Sequence, residues 1–534
     1  VTRPGPGAAV LVTGAGPTGL LAACELLRRG VPVRLVDCAP RPACTPRALS
    51  LWPRALDILD DLGIGGDVRA ASVRIDAYRY FTGGRPLAAF AFPAGCAARN
   101  LPQHETERLL TRRLHELGGT VERGVRLEDF SLEAGTVRAF LRHADGRGES
   151  VRTPYLLGAD GASSTVRGRL GTAFEGTTYP MSFAVLDTRV EGPLPPGEIH
   201  YYQAPSGTLV IVPLPGGVFR VLTALPALPA GAPAPDVRAV QALLDARGPG
   251  GVYGPGGVRI TEPVHQAVFR VHARRATALR RGRVFLLGDA AHIHSPAGGQ
   301  GMNNGLQDAH NLAWKLAAVL HGDSPASLLA DYGPERAEAT RRIVCDTDLQ
   351  TRAWMADGRV RVAARDTAFR LLERTGAVTR FYAPVMAGHR LAYRPQRATQ
   401  EPGRPAACRL PGGVRAGALF PRGLARTYGI GGPEADPSAW TLVLVLVLCG
   451  GTPPEWSAKA TRWAAAHRRV RVVHLPLAPT TPATRCPRPG FYLIRPDGHV
   501  AAHGHARDVP HLKAELSRAT TTQPAPAAPP PPGL

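Results

Sequence analysis

The spacing of apolar residues along this chain changes period several times, and each change marks an element. Residues 8–13 (AAVLVT) form a short, wholly apolar run, which predicts a buried strand. The glycine-rich segment 14–19 (GAGPTG) follows, then a helical stretch, 20–30, and a second strand, 31–37 (VPVRLVD), which closes a β-α-β unit. Segments 53–63 and 103–117 have the 3.6-residue period of amphipathic helices. From about 181 to 275 the period shortens to two, in runs such as SFAVLDTRV, IHYYQ, TLVIVPLP and VFRVLTAL separated by Pro/Gly turns, which predicts a separate antiparallel sheet. A strand over 283–289 (RVFLLGD) and a helix over 303–322 come next, and helical patterning continues to about 390. Residues 396–417 are loop-like. A small α/β unit then runs from 438 to 515: strand TLVLVLVL, helix EWSAKATRWAAAH, strand VRVVHLPL and hairpin FYLIRPDGHVAAHG.

The organisation expected is therefore a unit over 1–395, with a sheet layer at about 76–99 and 181–275 and a helical segment at about 340–395. A second domain follows over 396–518, and then a Pro/Ala-rich tail, 519–534, expected to be disordered. A chain of 534 residues is too long for one core, and 44% apolar with 20% charged residues is the composition of a packed globular protein. The net charge of +22 raises the question of a nucleic-acid partner. Only Lys315, Lys459 and Lys513 are lysines; the rest of the positive charge is arginine scattered through helices and strands, as a GC-rich genome produces. No basic stripe with aromatics occurs, and no nucleic acid is expected. The eight cysteines include no C-x-x-C pair, which argues for free thiols and a cytoplasmic setting. No signal peptide pattern opens the chain, and the run 441–449 is too short to span a bilayer, so no membrane is expected either.

Three motifs carry chemistry. In the first, Gly14, Gly16 and Gly19 form G-x-G-x-x-G between a strand and a helix, and Asp37 ends the next strand 18 positions after Gly19. Gly14 allows the turn, Gly16 lets backbone approach a pyrophosphate, Gly19 permits close helix–strand packing, and an acid at the position of Asp37 accepts a ribose hydroxyl. An ordinary strand–turn–helix explains neither the spacing nor the acid. The second motif, YLLGADGASSTVRGRLG (155–171), delivers Asp160 and Gly161 at a strand end. In the third, 283–317, Asp289 ends a strand, the segment Pro296–Gly301 brings bare backbone close to a flat group, and the N–H groups of Gly301, Met302 and Asn303 open a helix able to stabilise negative charge on a flavin edge. His292 and His294 invite a metal, but nothing completes a ligand set, and no metal is assigned.

In their order and separations the three motifs resemble those of the class A flavoprotein monooxygenases, the para-hydroxybenzoate hydroxylase fold. Within that family the chain is similar to the aromatic polyketide hydroxylases of antibiotic pathways, which carry a thioredoxin-like C-terminal domain; RPDGHVAAHG (495–504) matches the end of that domain. The resemblance covers about 8–390 and 400–510. It implies an α/β fold: a Rossmann-type FAD-binding domain, an antiparallel substrate sheet and a thioredoxin-like domain. Carried over by position, it implies that Gly14, Gly16, Pro17, Thr18 and Gly19 hold the FAD pyrophosphate and Asp37 the ribose. Arg47, in TPRALSLWPRALDIL, and Gln103, in LPQHETERLL, fall where the family contacts the cofactor. Asp160 belongs to a motif linked to FAD and NAD(P)H, Asp289 to the ribityl chain, and Pro296, Gly299, Gly301, Met302 and Asn303 to the isoalloxazine.

The implied activity is hydroxylation of a polycyclic phenol. NADPH or NADH reduces FAD, and a flavin C4a-hydroperoxide transfers OH to the ring. An activated phenol assists by its own deprotonation, so no side chain is assigned a catalytic role. Tyr201, Tyr202, His265 and His272 are phenol-contact candidates that fit a packed sheet residue at least as well. Baeyer–Villiger insertion, antibiotic inactivation and a non-catalytic FAD-binding protein are the competing readings. Where thioredoxin has C-x-x-C this chain has Cys449-Gly-Gly, so the C-terminal domain is expected to be structural. No W-x-W-x-I-P segment of a flavin halogenase occurs. The substrate, the hydroxylated carbon and the oligomeric state are not legible.

Overall fold

A computed structural model describes residues 8–42, 48–229, 231–249, 257–393, 414–430, 441–449, 452–476 and 489–521. The chain divides into two compact units, Val1–His310 with Arg336–Leu391, and Asn311–Glu335 with Ala392–Leu534.

In the first unit the strand Val10–Thr13 is buried at every position. It lies between Val33–Asp37 and Tyr155–Gly158, parallel to both, with Val12 opposite Leu35 and Leu157. A strand covered on both faces is apolar throughout, which is why its sequence shows no alternation. The full order is Arg280–Arg281, Val284–Leu286, Tyr155–Gly158, Val10–Thr13, Val33–Asp37, Val121–Arg123; only the first, an edge strand, runs antiparallel. The helices Pro17–Leu27 and Gln103–Glu116 pack together, burying Leu20, Leu21, Leu110 and Leu114. The carboxyl ends of neighbouring strands carry Gly14, Asp37 and the Asp160 turn to one edge, where open α/β sheets bind ligands. A three-stranded antiparallel meander, Val125–Glu133, Thr136–His143 and Gly148–Thr153, precedes that turn.

The second sheet has eight strands, in the order His292–Ile293, Arg259–Ala276, Phe174–Glu191, Val218–Pro226, Gly207–Pro213, Glu198–Ala204, Ala77–Thr82, Arg85–Ala91. It is antiparallel except for one parallel pair, Glu198–Ala204 with Ala77–Thr82. Its two faces have different partners. Phe81, Leu186, Tyr202, Leu209, Ile211 and Val221 face outward and pack under the helix Val237–Arg247 through Val240 and Leu244. Tyr78, Tyr80, Val185, Tyr201, Val210 and Leu222 face inward. The helical segment supplies Tyr332–Trp354 and Arg359–Thr375, whose Trp354 and Phe369 join the inward cluster.

In the second unit, Val470–Pro476, Leu442–Leu448, Gly490–Ile494 and Val500–Gly504 form a four-stranded sheet in the thioredoxin-like order. The run LVLVLVL splits by parity. Leu442, Leu444 and Leu446 pack under the helices Glu455–Ala465 and Val509–Ala519, whereas Val443, Val445 and Val447 meet Phe420 and Tyr492. A buried ion cluster also lies here: Lys315 Nζ is 2.7 Å from Glu335, which also pairs with Arg495, and Arg495 is 2.5 Å from Asp497. Most of the expected tail, 522–534, lies outside the described residues.

Candidate cofactor and substrate site

The first motif is a tight junction between strand, helix and neighbouring turn. Gly14 has φ +95, and a Cβ there would lie 2.2 Å from the Ala159 carbonyl oxygen. At Gly19 a Cβ would lie 1.9 Å from the Gly14 carbonyl oxygen. Gly16 differs: a Cβ would meet nothing within 4 Å, so the space above it is open beside the N-terminus of Pro17–Leu27, where a phosphate is favoured. Asp37 accepts from Ala15 N–H (2.6 Å) at one carboxylate oxygen and from Ala39 N–H (2.8 Å) at the other, and each oxygen keeps acceptor capacity. Gln103 opens its helix and donates from Nε2 to Glu107 (2.9 Å). Arg47 lies outside the described residues.

Asp160 works within its own turn. Its Oδ1 accepts from Ser164 Oγ (2.5 Å) and its Oδ2 from Val166 N–H (3.0 Å), which fixes the start of the helix Thr165–Arg169. Arg167 then donates to the Ala290 carbonyl (3.0 Å), tying the second motif to the third. Asp289, expected to end a strand over 283–289, instead sits three residues beyond the observed strand Val284–Leu286, in the 3-10 turn Gly288–Ala290, and is exposed.

The third motif meets the first through Thr18. A Cβ at Gly288 or Gly305 would lie 2.6 or 2.3 Å from Thr18 Oγ1, so both glycines make room for that side chain. Pro296 leads into the turn Ala297–Gly299, and Gly299 lies against Ser50. The helix Gly301–Leu320 follows. The Asn304 N–H bonds to the Gln300 carbonyl, so the N–H groups of Gly301, Met302 and Asn303 precede the helical ladder. The Asn303 side chain accepts from Trp52 N–H (2.8 Å) and donates to the Ser50 and Gly299 carbonyls (2.8 Å each), stitching the turn to the strand Ser50–Leu51. His292 pairs with Asp308 (2.6 Å), which Arg336 also holds (2.6 Å). His294 donates from Nδ1 to the Ser295 carbonyl (3.0 Å), and its Nε2 is buried beside Gly301 with no partner. Burial, aided by His292 and opposed by the Ser295 bond, pulls the imidazole down to about 4, so it presents a bare acceptor at neutral pH.

Above this floor lies the inward face of the second sheet. Trp52 Nε1 donates to the Gly298 carbonyl (2.8 Å) and its ring meets Tyr78 edge-on at 6.4 Å. Tyr80 stacks on Tyr201 at 4.7 Å and 9°, and Trp354 closes over Tyr201 at 5.4 Å. Burial pushes the hydroxyls of Tyr78, Tyr80 and Tyr201 well above the ordinary tyrosine range, so they stay protonated. Of the four phenol-contact candidates, only Tyr201 belongs to this cluster. Tyr202 stacks on Phe81 on the opposite face (4.6 Å), His272 is bound to Thr178 (2.8 Å), and His265 lies in the strand Arg259–Ala276 outside the cluster. Trp52, Tyr78, Tyr80 and Trp354 were not singled out from sequence. Alternation in AYRYFT pairs Tyr78 with Tyr80, but nothing local marks Trp354.

The residues present fit FAD: open space over Gly16, a carboxylate with spare acceptor capacity at Asp37, helix N–H groups at Gly301–Asn303 and an unpaired acceptor at His294, with Thr18 packing the first motif against Gly288 and Gly305 of the third. Fold and site together define a flavoprotein of the dinucleotide-binding type. Residues 7–347 match the FAD binding domain family, and residues 440–523 match the C-terminal domain of aromatic-ring hydroxylases. The 6-methylpretetramide 4-monooxygenase of Streptomyces rimosus is 35% identical over 530 residues, covering 96% of this chain and 93% of that protein. Aklavinone-11 hydroxylase, solved as a ternary complex with FAD and aklavinone, matches with a TM-score of 0.74 at 26% identity, over 97% of this chain and 99% of its own. CabE, an aromatic hydroxylase from angucycline biosynthesis, matches with a TM-score of 0.72 at 28% identity, over 96% and 100%. The chain belongs to the class A FAD-dependent aromatic monooxygenases, and FAD is its cofactor. Among the described residues, no helix is long and apolar enough to cross a membrane.

Proposed function

We propose that this protein hydroxylates a polycyclic phenol of the aromatic polyketide type, using NAD(P)H and O2, in the biosynthesis of a secondary metabolite. The observation that carries the reading is the buried aromatic face of Trp52, Tyr78, Tyr80, Tyr201 and Trp354 directly over the Ala297–Gly299 turn. Flat rings stack there against flat rings. Relatives that act on 6-methylpretetramide or bind aklavinone support the substrate class.

When bound, FAD supplies the redox chemistry: it takes electrons from NAD(P)H and activates O2. This chain's residues do the rest. Gly14, Gly16, Pro17, Thr18 and Gly19 form the pyrophosphate cradle, with Asp37 on the ribose and Asp289 toward the ribityl chain. Gln103 and Asp160 brace the cofactor edge. Pro296, Gly299, Gly301, Met302 and Asn303 wall the ring, and the helix N–H groups favour negative charge on it. The apolar cluster excludes water, which keeps activated oxygen from leaking as peroxide. The protonated tyrosines hold the substrate without acting as bases, consistent with a phenol that activates its own ring.

The test is an absorbance spectrum of the purified protein with NADPH in air, followed by mass analysis under 18O2. Bleaching accelerated by a polycyclic phenol, with one labelled oxygen on an aromatic carbon, is expected. A lactone product would move the reading to Baeyer–Villiger insertion. A flavin that NAD(P)H never bleaches would leave a non-catalytic FAD-binding protein.

A further inference from the structure

The inward face of the eight-stranded sheet is ordered in cross-strand rows. Tyr78 pairs with Ile199 in the first row, Tyr80 with Tyr201 and Val210 in the second, and Thr82 with Gln203 and Thr208 in the third. The first row lies at the floor, because Tyr78 packs on the Trp52 ring that holds Gly298. Successive rows are two residues apart, so the third lies about 13 Å along the strand from the first. The first two rows are aromatic and aliphatic; the third is polar.

Two members of the third row already have partners. Thr208 Oγ1 donates to the Trp354 carbonyl (2.9 Å), and Thr82 Oγ1 accepts from Arg365 (3.1 Å). Gln203, between them, is 5% exposed, and neither its Oε1 nor its Nε2 has a hydrogen-bond partner. Reversing the amide changes nothing, since both ends are bare. Among the described residues no other side chain leaves two buried polar atoms unpaired in this way. A buried amide that serves only packing is bonded to its neighbours, and an aliphatic side chain of the same size would fill this place at lower cost. By strand parity the amide projects on the face that carries Tyr201.

We propose that Gln203 anchors the end of the substrate farthest from the reacting ring. Its Nε2 donates to an acceptor and its Oε1 accepts from a donor set side by side on the ligand, as in a primary carboxamide or a hydroxyl beside a ring carbonyl. This rests on the polycyclic phenol reading and sharpens it: the distance from floor to Gln203 exceeds a single phenol and suits several fused rings.

The test uses the FAD-loaded enzyme and two matched tetracyclic phenols, one with a primary carboxamide on a terminal ring and one with hydrogen in its place. Binding is read from the change in flavin absorbance, and melting is measured without substrate. Wild type is expected to bind the carboxamide at least about tenfold more tightly. Gln203→Leu is expected to bind the two within about threefold and to melt no lower than wild type. Equal binding of both by wild type overturns the anchor and leaves the polycyclic hydroxylase standing. An undiminished preference in Gln203→Leu, or a fall of several degrees in its melting temperature, also overturns the anchor, the latter by showing that the amide is bonded within the fold. If wild type binds neither tetracycle, the polycyclic reading fails and the anchor with it.

Discussion

The floor and the roof of this site are built on opposite plans. In the floor nearly every polar group has a protein partner: Asp160 caps its own helix, Asn303 makes three hydrogen bonds, and Asp37 takes two N–H groups while keeping capacity to spare. In the roof the surface is aromatic, and in the polar row at its far end the Gln203 amide is bare. A cofactor that stays bound is met by backbone held at a set curvature. On the proposed reading, a substrate that must come and go meets flat rings and one unpaired amide, Gln203, that it completes. The floor is therefore sensitive to a single methyl group, and the roof to the loss of a matching polar group.

The largest effect should follow from adding one methyl to the floor. Gly14→Ala places a Cβ 2.2 Å from a carbonyl oxygen at a positive φ, and we expect little folded, flavin-bearing protein, read as the ratio of flavin to protein absorbance. Gly16→Ala is the control for that contrast, since its Cβ meets no protein atom within 4 Å. It should fold with an unchanged apo melting temperature yet bind FAD at least tenfold more weakly, a loss of about 1.4 kcal/mol. Unchanged FAD affinity would remove Gly16 from the cradle.

Next comes Asn303→Ala, which strands the Trp52 N–H and two carbonyls. A cost of about 2–4 kcal/mol is expected in urea unfolding, from orphaned buried groups at about 1–3 kcal/mol each. A midpoint within error of wild type would show that the stitch from turn to strand contributes nothing.

In the roof, the two faces of one strand should separate. Tyr201→Phe is expected to raise KM for a polycyclic phenol several-fold, and Tyr202→Phe to leave it unchanged, at a similar stability cost of about 1 kcal/mol each, for the hydroxyl bond to Tyr78 in the first and to His200 (3.1 Å) in the second. Equal effects on KM would erase the distinction between inward and outward faces.

The smallest effect at neutral pH belongs to His294. Its folded value of about 4 lies below the ordinary 6.5, so the unfolded chain binds the extra proton between those values. Its contribution is complete above pH 6.5 and lost as pH falls toward 4. His294→Leu should flatten the melting temperature over that window. An identical slope would mean that the imidazole is not held neutral.

The elements of the floor were legible in the amino-acid pattern. The G-x-G-x-x-G spacing, the acid ending the second strand and the helix start after Pro296 are local consequences of backbone curvature and helix ends, so neighbouring residues suffice to reveal them. The wholly apolar LVLVLVL likewise marked a buried strand in the C-terminal unit, though the structure showed which side its leucines and valines take. What depends on register and docking between distant segments emerged only with the chain folded. That Thr18 packs on Gly288 and Gly305, that Asn303 reaches Ser50 and Trp52, that Trp354 covers Tyr201, and that Tyr201 and Tyr202 part to opposite faces all join residues far apart in the chain. The bareness of Gln203 is of the same kind, because a missing partner shows only once every neighbour is in place.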